Sequence, residues 1–510
     1  MEIKITRIFI AGILYIYLAI PVFFFGWLKP GYAAAASLLL CLGIYAGVRS
    51  WIKEEQKEEN RNIYMTKTVL LLGMAFVLFM CWHTGIGGFT GQVGDWHKHN
   101  AVMHDLIERR WPVIYSTEYG DSMLSYYIGY YLIPAVCGKL TSSFRMAEIV
   151  QYLLSAGGIY LLWLIVVNVC RAKSGKRQLI CLGMIFMFGG MMLLGQAVCS
   201  NLYPESLSYG SMEWMNPETV TIQYSPNWSL LKWVPGQVIV PWIATALLLC
   251  KPDKTDTYVL IGMPVILYSG FAMTGLAVMM AALCICYVFL KKERSIRNVF
   301  SLSNLLLAFG TGSILILYFL GNIMGEKPEY LSFHMLDYGQ KKIFYFLFAF
   351  FMFGGYTILV FKENKKNILY WITVAGLLVY PLFSMGAYND FTMRASIPGL
   401  FTLMILCLRF LLFEEEGMTG GRNLTVRKTL LAAGLIIAMV YPVLNIRESI
   451  VKNVIGEHYR TDGYLSLEPY ADPSDEEIPD DLKYNYYSYD LERDIFYRYL
   501  AKQQKEKEYE

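Results

Sequence analysis

The sequence has few charged residues. Asp, Glu, Lys and Arg make up 17% of its 510 residues, against about 25% in typical soluble domains. A soluble protein of this length needs charge over most of its surface, so the composition excludes an ordinary soluble fold. Instead, 55% of the residues are hydrophobic. Apolar runs of about 17–24 residues recur along the chain, the length that crosses a hydrocarbon core of about 30 Å. We therefore predict an all-α polytopic membrane protein.

The sequence also lacks cysteines at the spacing of metal sites or redox motifs. The chain has ten cysteines, but none forms a CxxC pair, and most lie within or at the ends of apolar runs. Cys284 and Cys286 fall in one predicted helix and point to different faces. This arrangement argues against a metal centre or a disulfide framework. We expect the cysteines to act as small hydrophobic residues.

Thirteen apolar runs are expected to cross the membrane. They are 7–28, 32–50, 68–86, 147–170, 179–198, 236–250, 257–271, 274–290, 303–321, 343–361, 368–385, 396–413 and 428–446. The first run follows Lys4 and Arg7. It is too long for the hydrophobic region of a signal peptide and lacks a small-residue cleavage site, so we expect it to remain as a span.

Basic loops between these runs indicate the orientation. They are 49–67, 171–177, 251–254, 291–297, 362–366 and 422–428. The positive-inside rule places such loops in the cytoplasm. We therefore expect a multi-pass protein of the cytoplasmic (plasma) membrane, with its N-terminus cytoplasmic and its C-terminus extracytoplasmic.

Two segments, 123–140 and 257–290, each have two possible topologies. If 123–140 crossed the membrane, the basic loop 171–177 would move outside. The segment contains four tyrosines and Pro134, a composition typical of the water–membrane interface, so we predict that it lies flat on the outer surface. The uncharged stretch 257–290 predicts a tight helical hairpin, with one long tilted span as the alternative.

The chain is expected to have four parts. These are two extra spans with a cytoplasmic loop (1–67), a core with outer loops 87–146 and 199–235 (68–321), C-terminal transmembrane helices (322–446), and an extracytoplasmic tail rich in tyrosine and acidic residues (447–510). The tail is marginal in size for an independent domain. We expect it to pack on the outer loops.

The densest polar constellation lies in the first long outer loop, at 94–112. Three of the six histidines fall within eight positions there, and an apolar stripe predicts a helix from Trp96 that stops before Pro112. Asp95 has two interpretations. It is either the N-cap of this helix or a general base that takes a proton from an attacking hydroxyl.

Cationic groups surround Asp95 in the sequence. Lys98, His99, His104, Arg109 and Arg110 could hold a phosphate near the helix N-terminus. The alternative for the two arginines is pairing with a neighbouring glutamate or with lipid headgroups. A metal site is also possible, because Asp95 and His99 are four residues apart, but no second carboxylate accompanies them on the same turn.

Two further constellations lie in predicted outer segments. In 387–398, Asp390 and Arg394 could bind a substrate or simply pair with each other. In 223–237, aromatic and amide side chains suit a sugar, and an interfacial aromatic belt is the alternative.

By contrast, the predicted spans contain almost no ionisable residues at mid-membrane. His83 lies near an outer end and Arg409 near an inner end, a distribution that favours surface chemistry over transport.

These features resemble the GT-C superfamily of polyprenyl-phosphate-dependent glycosyltransferases: a span, a carboxylate just beyond it, a long outer loop with interfacial helices, and many short-looped spans. The stretch 124–146 with the span 147–170 is similar to aminoarabinose and mannosyl transferases. Gly-Asp-Trp-His-Lys-His-Asn (94–100), Gln-Tyr-Ser (223–225) with Trp233, and Asn-Asp-Phe-Thr-Met-Arg-Ala-Ser-Ile-Pro (389–398) resemble a group of large bacterial membrane proteins. The layout covers 68 to about 446.

The resemblance implies transfer of a sugar from a polyprenyl-phosphate donor to an envelope glycan, lipid or protein outside the cytoplasm, with inversion. Asp95 matches the superfamily's catalytic carboxylate. The residues expected to bind substrate are Lys98, His99, Asn100, His104, Gln223, Asn389, Asp390 and Arg394. Phosphate is already a good leaving group, so no second catalytic acid is needed. The expected partners are membrane lipid, the lipid-linked donor and the acceptor, with no nucleic acid and no cofactor beyond that donor.

The chain departs from the superfamily in two ways. Two extra spans (7–50) precede the carboxylate, and Asp95 does not belong to the paired-acid motif of many members, which leaves the metal requirement and the base assignment open. Two other functions remain as alternatives. One is a lipid-linked glycan transporter or flippase, and the other is a non-catalytic membrane protein of envelope assembly.

Overall fold

The structure is a computed structural model. It describes residues 1–56, 62–118, 120–202, 214–215, 222–323, 325, 327–339, 342–386, 389–412, 422–455 and 466–503. Within these residues, eight helices are long and apolar enough to cross a membrane: Ile5–Trp27, Pro30–Glu55, Phe144–Val169, Gly270–Leu290, Ile296–Ile323, Lys342–Asn364, Asp390–Leu412 and Arg422–Lys452. The chain therefore has the architecture of a helical multi-pass membrane protein, as the composition predicts.

Five further segments decide how many spans there are. Two are bent pairs of helices, Gly175–Met187 with Met192–Val198 and Asn227–Trp233 with Pro235–Cys250. Three are shorter apolar helices, Lys67–Trp82, Thr255–Leu267 and Ile368–Leu382. Counting each pair as one span gives up to ten. The expected total of thirteen requires the three short helices as well and stays a prediction.

The remaining elements are short. The helical ones are Ile86–Gly88, Trp96–Glu108, Gly129–Thr141, Glu329–Leu331, Glu468–Tyr470, Asp480–Lys483 and Phe496–Leu500. The strands pair antiparallel: Glu2–Ile3 with Ile63–Tyr64, Ile114–Thr117 with Gly120–Leu124, Gly120–Leu124 with Tyr487–Ser488, Trp214–Met215 with Ile222–Gln223, and His334–Met335 with Phe383–Ser384. We call the helix Trp96–Glu108 the site helix.

The hairpin predicted in 257–290 is confirmed. Thr255–Leu267 and Gly270–Leu290 are separate helices. Ser269 between them has an extended backbone (φ −166°, ψ 104°), and its hydroxyl accepts a hydrogen bond from Ala272 N at 3.3 Å. A capping serine starts a new helix by satisfying a first-turn amide. Met280 of the second helix packs at Gly262 of the first, so the two helices fold back on each other and do not form one long span.

The segment 123–140 differs from the prediction in detail. Its first residues complete the strand Gly120–Leu124, and only Gly129–Thr141 is helical. The helix has 13 residues, about 20 Å at 1.5 Å per residue, which is shorter than a hydrocarbon core of about 30 Å. Leu132 and Ala135 are fully buried, because the helix packs against the site helix and Phe144–Val169.

Ion pairs join three of the predicted cytoplasmic loops at one end of the helices. Lys254 Nζ lies 2.6 Å from Glu54, and Lys251 Nζ lies 2.7 Å from Glu55. Arg294 pairs with both Asp253 and Glu54. The loops 49–56, 251–254 and 291–297 therefore lie together, and we call this the basic end.

The C-terminal tail packs on the other end, as the sequence predicts for a segment too small to fold alone. Tyr487–Ser488 forms the third strand beside Gly120–Leu124. Phe496 stacks on Phe23 with a ring separation of 6.1 Å, and Lys502 N donates to Trp27 O at 2.8 Å. The last long helix runs further than its apolar pattern, since Arg422–Ile455 extends beyond the predicted end at 446.

Candidate functional site

A cavity of about 450 Å³ lies between the start of the site helix and the C-terminal tail. Its wall is built from segments that are distant in the sequence. These are the site helix, the loop 125–127, the segment 234–237, the helix ends at 266–274 and 316–323, the loop at 327–331, the turn 385–394 and the tail residues 484–486. We call it the site cavity, and its size falls within the range of small-molecule sites.

Asp95 lines the site cavity. It occupies the N-cap position, but its side chain makes no capping hydrogen bond, so the interpretation as a simple cap is wrong. The physical reason is the backbone, which is helical at this residue (φ −63°, ψ −19°) rather than extended, whereas a capping side chain reaches the first-turn amides from an extended residue. The carboxylate is 35% exposed, so the cavity gives a ligand access to it.

Two lysines contribute positive charge to the cavity wall. Lys98 Nζ lies 3.7 Å from Asp95 Oδ1. Lys327, on the other side, donates to Asn322 Oδ1 at 3.0 Å. Burial lowers the pKa of Lys327 to about 8, because a charged ammonium loses hydration there. Lys327 is absent from the sequence-based site, since a single lysine in a loop forms no motif.

The turn 386–394 brings a second charged pair to the same cavity. Asp390 and Arg394 form an ion pair, and both line the wall. The pairing expected from their spacing is therefore present, and the pair also faces the space shared with Asp95. Arg394 Nε is buried without a hydrogen-bond partner in the described part of the chain. This nitrogen is a donor that a ligand could satisfy.

Backbone geometry explains this turn. Gly386 has φ +90° and Asn389 has φ +54°, and left-handed backbone favours glycine and tolerates asparagine. The Asn389 side chain accepts from Thr392 N at 3.3 Å and donates to Phe383 O at 3.3 Å. Asn389 is absent from the cavity lining. Asn389 therefore shapes the turn, and its expected contact with substrate stays a prediction.

His99 lines the cavity, but both ring nitrogens have protein partners. Nε2 lies 2.8 Å from Trp233 O, and Nδ1 lies 2.5 Å from Tyr131 OH. A carbonyl oxygen can only accept, so Nε2 carries the hydrogen and Nδ1 accepts from the tyrosine. Burial lowers the pKa of His99, which favours the neutral ring. These bonds give His99 a role in anchoring the site helix, and its expected contact with phosphate stays a prediction.

Asn100 and His104 lie outside the cavity lining. The Asn100 amide donates to Gln92 Oε1 at 2.9 Å. His104 Nδ1 lies 3.4 Å from Asp105 Oδ1, at the junction with the tail. His104 is five positions beyond His99 and thus about 140° around the helix, at about 100° per residue. These residues therefore lie on other faces of the site helix than His99, and their expected substrate contacts stay predictions.

The segment 223–237 is mostly buried in protein. Gln223 donates to Ser225 Oγ at 2.5 Å and is absent from the cavity lining, so its role in binding substrate stays a prediction. Tyr224 and Trp228 are fully buried, and the Tyr224 hydroxyl donates to Leu377 O at 2.8 Å. Trp233 is 41% exposed, and Val234 and Gln237 line the site cavity. The first part of the segment is therefore core, and its last residues reach the surface and the cavity.

Gln237, the last residue of the segment 223–237, forms a polar wall with two tyrosines. Gln237 Nε2 donates to Tyr126 OH at 3.1 Å, and the rings of Tyr126 and Tyr486 are 4.3 Å apart. Gln237 Oε1 is buried without a partner among the described residues. The tyrosine cluster in the tail is the sequence feature that could have indicated this wall, because Tyr484 and Tyr486 both line the cavity.

In the described ranges, no group of three or more His, Cys, Asp or Glu side chains lies close enough together to hold a metal ion. Compared with known proteins, the chain matches no family model, no curated protein and no solved structure. The chemistry of the site cavity is therefore the basis for assigning a function.

Proposed function

We propose that this protein is a GT-C-like membrane glycosyltransferase. It transfers a sugar from a polyprenyl-phosphate donor to an extracytoplasmic glycan, lipid or protein acceptor and inverts the anomeric centre. One observation carries this proposal. An accessible carboxylate, Asp95, shares a cavity of about 450 Å³ with the cations of Lys98, Arg394 and Lys327.

The proposed reaction is a single displacement at the anomeric carbon. The acceptor hydroxyl attacks this carbon while Asp95 takes the hydroxyl proton. The bond from the anomeric carbon to the phosphate oxygen breaks, and the electron pair leaves with the polyprenyl phosphate. Lys98, Arg394 and Lys327 stabilise the negative charge on that phosphate. Asp390 orients Arg394 through their ion pair.

The apolar part of the cavity suits a lipid-linked donor. Helices Gly270–Leu290 and Ile296–Ile323 contribute Phe271, Ile316 and Ile323 to the wall. Ile316 and Ile323 are also 52% and 57% exposed at the protein surface. An isoprenoid chain could therefore lie against these side chains while its phosphate reaches the cations.

The placement of the charged loops supports an extracytoplasmic site. Gly270 lines the cavity, and Leu290, at the far end of the same helix, precedes the loop 291–297 of the basic end. The 21 residues of this helix extend about 30 Å, a full hydrocarbon core. The positive-inside rule would put the basic end in the cytoplasm and the site cavity on the opposite side.

A transfer assay with purified protein in lipid nanodiscs tests the proposal. The probes are short-chain polyprenyl-phosphate hexoses and pentoses carrying a radiolabelled sugar, and the readout is release of polyprenyl phosphate together with the labelled product. With a donor that the wild type uses, Asp95→Asn should lower the rate by about 10²–10⁴-fold, the usual contribution of a general base.

Asp121→Asn is the matched control, because Asp121 is an exposed aspartate in the strand Gly120–Leu124, outside the cavity lining. This variant should retain the wild-type rate. Wild-type turnover by a well-folded Asp95→Asn protein would refute the assignment of Asp95 as the base. The absence of turnover with every donor of the panel would refute the proposed activity toward these substrates.

A further inference from the structure

A second cavity, of about 620 Å³, lies beside the basic loop 171–177. Its wall combines the segments 62–64 and 167–173 with the ends of two helices at 249–250 and at Arg409. Three of the lining side chains are cations, Arg171, Lys173 and Arg409, and no carboxylate is among them. We call this space the basic cavity.

Arg409 is an unusual residue for its position. It lies near the end of Ile397–Leu412, a helix whose other residues are nearly all buried. In the described part of the chain, its guanidinium group forms no hydrogen bond or ion pair, yet it lies close enough to Arg171 for the two charges to repel each other. A partly buried arginine beside a like charge is costly unless an anion compensates it.

The basic end provides an internal comparison. There, Lys251, Lys254 and Arg294 each contact a carboxylate of the same protein. The basic cavity holds as many cations and lacks such partners among its lining residues. Loop charge that served only to orient the protein could remain in water, whereas Arg409 projects from an apolar helix into the basic cavity.

We propose that the basic cavity binds a phosphate-bearing anion. Arginine and lysine recognise phosphate by charge-assisted hydrogen bonds, and basic pockets between transmembrane helices accept lipid headgroups. The amides of Asn62 and Asn168 add hydrogen-bonding groups, and Val167 and Leu249 add an apolar wall. A phospholipid headgroup and a soluble phosphate share this chemistry, so the experiment has one arm for each.

The first arm uses inorganic phosphate. The full chain in detergent is titrated with phosphate at constant ionic strength, and the thermal midpoint is followed by tryptophan fluorescence. The second arm uses mixed micelles of phosphatidylglycerol or phosphatidylcholine, and native mass spectrometry counts the retained lipids. Binding in the first arm alone indicates a soluble phosphate, binding of phosphatidylglycerol alone indicates a lipid, and binding in both indicates that the phosphate group suffices.

Arg409→Gln should weaken whichever binding is seen by about tenfold, the loss expected for one charged hydrogen bond. Lys173→Gln should weaken it in the same direction and, because Lys173 lies on an exposed turn, serves as the test if the helix variant fails to fold. Lys176→Gln is the matched control. Lys176 is exposed in the same basic segment but does not line the cavity, so binding should be retained within twofold.

Two results would overturn this proposal. One is the absence of binding in both arms, or binding that neither Arg409→Gln nor Lys173→Gln weakens. The other concerns Glu414, Glu415 and Glu416, which follow Arg409 in the sequence and lie outside the described residues. If phosphate or phosphatidylglycerol binds only after all three are changed to glutamine, these glutamates, and not a bound anion, compensate the cations of the basic cavity.

Discussion

Two aspartates on the site helix differ sharply in their surroundings. Asp105 is 1% exposed, and its Oδ2 accepts hydrogen bonds from Tyr115 OH and Leu467 N, both at 2.8 Å. Asp95, at the other end of the helix, is 35% exposed and has Lys98 as its neighbour at 3.7 Å. The sequence presents both simply as acidic residues near basic ones.

The difference separates a structural carboxylate from the one that we propose as the general base. Protein groups fill the hydrogen-bonding capacity of Asp105. Together with Arg109, which binds Glu468 in a bidentate pair at 3.2 and 2.6 Å, it joins the first loop to the tail. Asp95 keeps capacity for a ligand. A carboxylate can act as a general base only if the donor hydroxyl can reach it, so exposure into a cavity matters as much as charge.

The largest effect on stability is expected at Asp105. Asp105→Ala removes the acceptor of two buried hydrogen bonds and leaves Arg109 with less compensation, so the free energy of unfolding should fall by roughly 3–5 kcal/mol. Denaturant unfolding in mixed micelles measures this. Asp121→Ala, at an exposed position, should change it by less than about 0.5 kcal/mol. Equal stability of the two variants would break the comparison between structural and chemical carboxylates.

A smaller effect, on activity, is expected at Arg394. Arg394→Gln should lower the transfer rate by about 10²-fold, because one cation is lost from the developing phosphate charge. Arg394→Lys keeps the charge without the planar fork and should lie between this variant and the wild type. His104→Gln lies outside the cavity and should stay within twofold. An unchanged rate in Arg394→Gln would remove Arg394 from the proposed phosphate site.

The smallest effect is a pH dependence at Lys327. Burial lowers the pKa of this lysine to about 8, so its positive charge is present below that pH and lost above it. The KM for the donor should therefore rise, by about tenfold, as the pH increases from below 8 to above it. Lys327→Arg stays charged throughout and should abolish the rise. Identical pH profiles for wild type and Lys327→Arg would exclude this role.

Much of the architecture could be predicted because it depends on local composition. Apolar run length indicates candidate spans, and small polar residues at 269–275 indicate the break between two helices. Asp95 and the Asp390 turn were both predicted in outer segments, and the structure brings both to one cavity.

The errors have a common physical origin. Asn100 and His104 were grouped with the site by proximity to Asp95 in the sequence, but a helix turns about 100° per residue, so neighbours along the chain face different sides. Gln223 was assigned through the family resemblance, and a buried amide takes the partners that its fold supplies. Lys327 was missed for the converse reason. It is an isolated polar residue whose position in the cavity depends on the packing of distant segments.

The most direct test of the central claim is the location of bound donor. A short-chain polyprenyl-phosphate hexose with a photoreactive group on the isoprenoid can be cross-linked to the wild-type protein in nanodiscs, and the adducts can be mapped by mass spectrometry. We expect adducts on the cavity-lining segments 266–274 and 316–323, which excess unlabelled donor should suppress. Suppressible adducts confined to other helices would contradict the assignment of the site cavity as the donor site.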